Sequence, residues 1–301
     1  MANPEHIAKL REGVRVWNNW RRENGDLLPD LYDAKLARGE LCEIDFREVD
    51  LRGADLRSAD LRGASLHEAD LRGANLRLSY LNGTNFQEAN LSGADLRGAN
   101  LEKAKLRDSD LCGAILVAAN LNEADLRGAF LQNTILRDVS FCDADLHWAN
   151  LREVDLRWAN LVRANLRRVN LRGADLRGAS LRGADLSWAM LDDSKFIGAD
   201  LIEAKLNRAS LDGANLLGAE LAGSDFGRAF LDRANLIGAN LRDANLRGAT
   251  VRWVTLRGAK NITVNQLSKA LTLYEAELDQ DHKNLIQRDY PHLLEDPDKE
   301  A

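Results

Sequence analysis

The sequence has little of what an ordinary globular core is built from. Aromatic residues make up 6% of its 301 positions, prolines number 4, and the 45% hydrophobic content is mostly Leu and Ala. A jigsaw of mixed aliphatic and aromatic shapes is therefore excluded as the main packing device. The three cysteines, Cys42, Cys112 and Cys142, form an odd set without CxxC spacing, which argues against a disulfide framework and against a zinc site. They read as free surface thiols. No run of about 18 apolar residues occurs, and the opening MANPEHIAKL lacks a basic segment leading into an apolar one, so the reading is a cytoplasmic chain with no membrane span.

What is present is a repeat. Stepping by five from Leu31 reaches Leu256 through 46 positions without a slip; 40 are Leu, and the others are Phe46, Phe86, Phe141, Phe196, Phe226 and Val251. We call this the central position. Two residues before it runs a second series, mostly Ala with Ser, Thr, Val, Ile or Gly, in which no large residue follows the opening Pro29. A period of five fits neither the 3.6 of a helix nor the 2 of a strand, so the chain must turn once per repeat to bring both series to one side. Gly53, Gly63, Gly73 and Gly98 sit two after the centre, where a type II turn requires positive φ.

These residues carry a resemblance. The pentamers ADLRS at 54–58, ADLRG at 94–98 and 174–178, and ADLSW at 184–188 resemble the bacterial pentapeptide-repeat family, whose motif is A(D/N)LXX. The match spans roughly three-quarters of the chain. The resemblance implies an all-β solenoid, a right-handed quadrilateral parallel β-helix with four repeats, or 20 residues, in each of about 11 coils. Stacked central residues such as Leu51, Leu56, Leu96, Leu156 and Leu176 would fill the axis, with coils about 4.8 Å apart.

A solenoid leaves an apolar face and unpaired backbone at each end, and both flanks suit covering them. Residues 1–30 predict an N-terminal helical cap: Asn3 as N-cap, Pro4 at the first turn, and Ile7, Leu10, Val14 and Trp17 at helical spacing in one helix over about 4–23. The β-helix proper is assigned to 31–262. Residues 263–294 predict short helices that either cap the far end or, as in gyrase-targeting relatives, form a homodimer. Thr263 and Gln266 have capping-box spacing there, and Leu285, Ile286 and Tyr290 precede Pro291. The tail 295–301 is expected to be disordered.

The activity most associated with the resembling family is DNA mimicry directed at gyrase. That requires dense charge of one sign, since duplex DNA carries one phosphate charge per ~1.7 Å. Residues 31–262 hold 32 basic and 33 acidic side chains, which is nearly neutral. Direct binding of nucleic acid is disfavoured too, because the motif's Asp and Arg can pair along an exposed wall.

Positions 20 apart share an outward column. One column reads Glu48, Glu68, Glu88, Asp108, Gly128, Trp148, Arg168, Trp188, Arg208, Arg228, turning from acidic to aromatic and basic. Trp148, Arg168, Trp188 and Arg208 form either a cation–π ladder or the hot spot of a docking face. In a second column Ile197, Leu217 and Ile237 replace arginines beside Gly198, Gly218 and Gly238. That leaves an apolar stripe fit for a partner. No convergent titratable groups, cofactor motif or metal-ligand spacing appears, so no enzyme, cofactor or metal is expected. The functional expectation is a non-catalytic scaffold offering flat walls to a protein partner. The alternative is a DNA-mimicking modulator of a type II topoisomerase.

Overall fold

The computed structural model describes residues 2–299. The chain divides into two compact units, Met1–Asp155 and Leu156–Ala301.

In the first unit, parallel bridges join residues 20 apart, from Asp30 with Asp50 to Ile135 with Asp155. Five-residue repeats bridged at that step make a β-solenoid with four repeats per coil. Each bridge is an isolated residue pair and not part of an extended strand, because the chain turns before a second residue can pair. The ladder uses three amides per repeat. Leu51 N donates to Asp70 O (2.8 Å), Gly53 N to Arg72 O (3.0 Å), and Asp70 N to Val49 O (3.0 Å). A fourth bond, Ala54 N to Leu51 O (3.0 Å), closes the turn within the repeat.

This geometry sorts the residues. Central side chains point inward, and from Phe46 on they are fully buried in this unit, Leu51, Leu56 and Leu96 among them, while the small series lies 0–1% exposed at Ala54, Ala59 and Ala64. Polar members of that series are satisfied by backbone: the Ser79 hydroxyl donates to Leu76 O (2.6 Å) and that of Thr84 to Leu61 O (2.8 Å). Two after the centre the backbone is left-handed whatever the residue. Gly73 has φ 64°, but Glu48 (59°), Ala118 (56°) and Trp148 (64°) adopt the same conformation. The predicted turn is present, and the coil imposes it on residues for which it costs about 1–2 kcal/mol.

Two helices precede the coils, α1 (Pro4–Arg11) and α2 (Val14–Glu23). Asn3 Oδ1 accepts from Glu5 N (2.9 Å) as N-cap, with Pro4 at the first turn. The single helix expected over 4–23 is instead broken at Gly13, whose φ of 102° suits glycine. The bend lets α2 place Trp17 edge-on against Phe46, centroids 5.6 Å apart.

The second unit repeats the ladder from Asn160 with Ser180 to Asn240 with Lys260. Leu156 and Leu176 are fully buried in it. Beyond Lys260 the bridges continue at a step of 22, Thr250 with Thr272 and Thr255 with Glu277. The two extra residues are taken up by α3 (Val264–Leu267), whose Thr263–Gln266 capping box is formed, and Leu273 returns to the buried interior. Helix α4 (Gln280–Asp289) and a 3-10 turn (Pro291–Leu294) follow, burying Ile286 and Leu293. Of the tail 295–301, residues 300 and 301 lie outside the described residues; within the rest, Asp298 accepts from Arg252 Nη1 (2.9 Å).

Adding a Cβ at Gly73 meets nothing within 4 Å, whereas one at Gly178 meets the ring of Trp158. Gly73→Ala should therefore cost only the left-handed conformation, about 1 kcal/mol. Gly178→Ala should cost more and also shift tryptophan emission. Urea unfolding followed by fluorescence checks both, and equal losses without a spectral change would contradict the placement of Trp158.

Candidate interaction surfaces

The outward face of each repeat has its own chemistry. An Asp or Asn just before the centre accepts from the amide two residues on, as Asp50 Oδ1 does from Arg52 N (3.1 Å). The same carboxylate takes a fork from the arginine side chain, Nε at 2.9 Å and Nη2 at 2.6 Å. This arrangement recurs at Asp55–Arg57, Asp60–Arg62, Asp95–Arg97, Asp125–Arg127 and Asp175–Arg177. The fork holds Asp50, Asp55, Asp60, Asp95 and Asp125 below the usual carboxylate range, against the opposing effect of partial burial. In these repeats the charges of Asp and Arg are paired within the repeat, and elsewhere pairs such as Arg172–Asp192 and Arg252–Asp232 join successive coils.

Three of the four residues in the aromatic and basic column come together in the second unit. Trp188, 42% exposed, has the Arg208 guanidinium 4.5 Å from its ring centroid and that of Arg168 at 5.9 Å. One cation lies on each side of it along the column. Trp148 belongs to the first unit, where it is 57% exposed and meets His147 edge-on at 5.7 Å.

The aliphatic column also lies in the second unit. Gly198 N bonds Leu217 O and Gly218 N bonds Ile237 O, each at 2.9 Å, which stacks Ile197, Leu217 and Ile237 on successive coils. Leu217 is exposed and its two neighbours are half-buried. A Cβ at Gly198, Gly218 or Gly238 would meet nothing within 4 Å, so the stripe is bordered by bare backbone. The stripe has a member that the sequence reading left out. Trp158, 67% exposed, lies over Gly178 on this same face. The signal was available, since 158, 178, 198 and 218 are steps of 20.

A second omission is Trp253, 46% exposed, which packs edge-on against Tyr274 (5.8 Å) beside Arg252 (5.3 Å). With Asp212, Asp232 and Arg233 it lines a shallow recess of about 590 Å³. Tyr274 reaches the Trp253 ring only because the coil resumes after α3, beyond the regular five-residue phase.

Among the described residues no three His, Cys, Asp or Glu side chains are grouped to hold a metal ion, and no helix is long and apolar enough to cross a membrane. The three cysteines are unpaired and half-buried. Burial, with Asp110 beside it, pushes the Cys112 thiol up to about 11.

A β-solenoid of stacked pentamers with outward columns defines a class of repeat proteins that present walls instead of pockets. The chain belongs to the pentapeptide-repeat family: matches to "Pentapeptide repeats", in eight copies, run from residue 30 to residue 260, among them 30–67, 79–117, 119–157, 159–196 and 228–260. Among solved structures it is similar to HetL, a pentapeptide repeat protein involved in heterocyst differentiation regulation from the cyanobacterium Nostoc sp. strain PCC 7120. Identity to HetL is 34%, covering 75% of this chain and 94% of that one, with a TM-score of 0.45. Full-length QnrB1, a plasmid-mediated fluoroquinolone resistance protein, is 16% identical over 74% of this chain and 98% of its own, TM-score 0.39. Rfr23 from the cyanobacterium Cyanothece 51142 is 32% identical over 38% of this chain and 66% of its own, TM-score 0.22. No curated protein matches the chain.

The forks carry a pH dependence. A carboxyl whose folded pKa is depressed adds stability that is present above its unfolded pKa near 3.9 and is lost as pH falls through the folded value. The urea midpoint should be flat from about pH 5 to 8 and fall below about pH 4. Arg52→Gln should reduce that fall. An identical midpoint at pH 7 and pH 3 would show that the forks add nothing.

Proposed function

We propose that the chain is a non-catalytic interaction scaffold that binds a protein partner through walls of its second unit. The observation that carries this reading is the apolar stripe of Trp158, Ile197, Leu217 and Ile237, in a column where Arg177 one coil earlier still pairs with Asp175. Exposed apolar side chains on a rigid, flat, glycine-bordered wall suit a partner that buries them. The Arg168–Trp188–Arg208 ladder adds a second candidate anchor, since Trp and Arg dominate such hot spots.

The alternative, a DNA-mimicking modulator of a type II topoisomerase, asks for unneutralised carboxylates along a face. Here the Asp–Arg forks work against it. For residues 263–294 we propose capping in preference to dimerisation. Gln266 Nε2 donates to Leu241 O (2.8 Å) and Ala244 O (2.9 Å), and Leu267, Ile286 and Leu293 are buried within the same unit.

Pull-down with the wild type, Leu217→Asp and Trp188→Ala tests the reading. A specific partner should be captured at least about tenfold less by one of the two variants. A partner retained equally by both would remove these columns as the site. Light scattering should report a monomer, and a dimer abolished by truncation near residue 262 would restore the dimerisation reading.

A further inference from the structure

Each side of a coil turns three backbone groups toward the coil before it: the N–H and the C=O of the residue preceding the centre, and the C=O of the residue following it. The first coil has no predecessor, so these groups need other partners. Helices α1 and α2 supply them on two sides only. On the side centred on Leu31, Asp30 N donates to His6 Nδ1 (3.0 Å) and Asp30 O accepts from Asn3 N (3.1 Å). On the side centred on Phe46, all three are met. Asp45 N donates to Asn18 Oδ1 (2.8 Å), Asp45 O accepts from Trp17 Nε1 (2.7 Å), and Arg47 O accepts from Arg21 Nη2 (2.8 Å).

The sides centred on Leu36 and Leu41 are different. Among the described residues nothing bonds Lys35 N, Lys35 O or Ala37 O, or Glu40 N, Glu40 O or Cys42 O. The packing follows the same division. Leu31 and Phe46 are fully buried, whereas Leu36 is half-buried and Leu41 is 6% exposed. Below them opens a cleft of about 460 Å³ lined by Ile7, Leu10, Ala34, Leu36 and Leu41, with Arg11, Lys35 and Glu40 at its rim. The far end has no such gap. All four sides of the coil centred on Leu241, Leu246, Val251 and Leu256 find partners in residues 260–279, including Lys260 O, Lys269 O, Thr272 O and Glu277 O.

We propose that the open half of the first coil is a docking site for an extended segment of a partner protein, which adds to the edge as a parallel strand pair. The edge dictates the register. The ladder elsewhere shows that a segment stacking here donates the N–H of its central residue to Lys35 O and a second N–H, two residues on, to Ala37 O; it accepts from Lys35 N two residues before the centre. The same set repeats five residues later at Glu40 and Cys42. The segment must therefore carry two apolar residues five apart, each following a small residue by two, and its apolar side chains enter the cleft. Main-chain bonds supply affinity and the cleft supplies selectivity. The charges of Lys35 and Glu40 on this edge guard it against indiscriminate edge pairing.

A synthetic peptide copying residues 54–63, ADLRSADLRG, which has the required two Leu five apart, each two residues after an Ala, is the probe, with a scrambled peptide as control. Titration of the full-length protein should show saturable binding of the probe and none of the scramble. N-methylation of the peptide's first Leu nitrogen removes the donor to Lys35 O and should weaken binding about fivefold or more. The variant Lys35→Pro with Glu40→Pro deletes two amides that bond nothing in the free protein, and should abolish binding while the fold is retained by circular dichroism. Should that variant misfold, the N-methylated peptide decides on the wild type alone. No saturable binding up to about 1 mM, or equal affinity of the probe and its N-methylated form, would overturn the proposal.

Discussion

Backbone hydrogen bonds that step by one coil govern every other feature described here. Because each amide of the ladder must meet a carbonyl 19 or 21 residues away, as Leu31 N meets Asp50 O and Asp50 N meets Pro29 O, the chain has to return to the same place every 20 residues. That requirement forces one turn per pentamer and puts a central residue and a small residue inside. It holds the third turn position left-handed even where Trp148 or Arg168 occupies it. Strain of about 1–2 kcal/mol at each such residue is tolerated because the coils above and below over-determine the conformation.

The same constraint shapes what the molecule can offer a partner. Among the described residues the interior is filled by Leu and Phe, which directs the proposed recognition to outward columns or to ends. Where the Asp–Arg fork recurs along the columns, it pairs opposite charges on the exposed wall. Information resides in departures from it. The second unit has an apolar stripe beside bare glycines and a Trp between two Arg. In the first unit, the coil nearest the N-terminus keeps half of its edge open. An end is where a solenoid must choose between sealing its backbone and lending it to another chain.

Much of this was legible in the sequence because a strict period carries its own geometry. The inward series, the turn position and the membership of the columns all follow from counting by five and by twenty, and residues such as Leu51, Leu156 and Leu176 lie where that count puts them. What escaped was local. Helical spacing across residues 4–23 said nothing of the bend at Gly13, which depends on where Trp17 must meet Phe46. The coil past Lys260 was hidden by a two-residue shift in phase, with only Leu273 to mark the return. Trp158 was missed because the aliphatic column was followed without the column of residues beside it. Whether a helical flank seals all sides of a coil or two of them cannot be read from a pattern, because it turns on which side chains reach which carbonyls.

The central claim is that the one-coil ladder holds the fold, and residue-resolved hydrogen exchange under native conditions tests it most directly. Within the pentamers between the first and last coils the amides of the residue before the centre, the centre and the residue two after it should be slow, as should the turn-closing amide. The amide just after the centre bonds only a side chain, and where no Asp or Asn precedes the centre, as at Val117 and Gln132, it has no partner among the described residues. The account predicts protection that repeats every five residues, with Val117 and Gln132 exchanging fastest in their repeats. Protection without that period, or slow exchange at Val117 and Gln132, would contradict it.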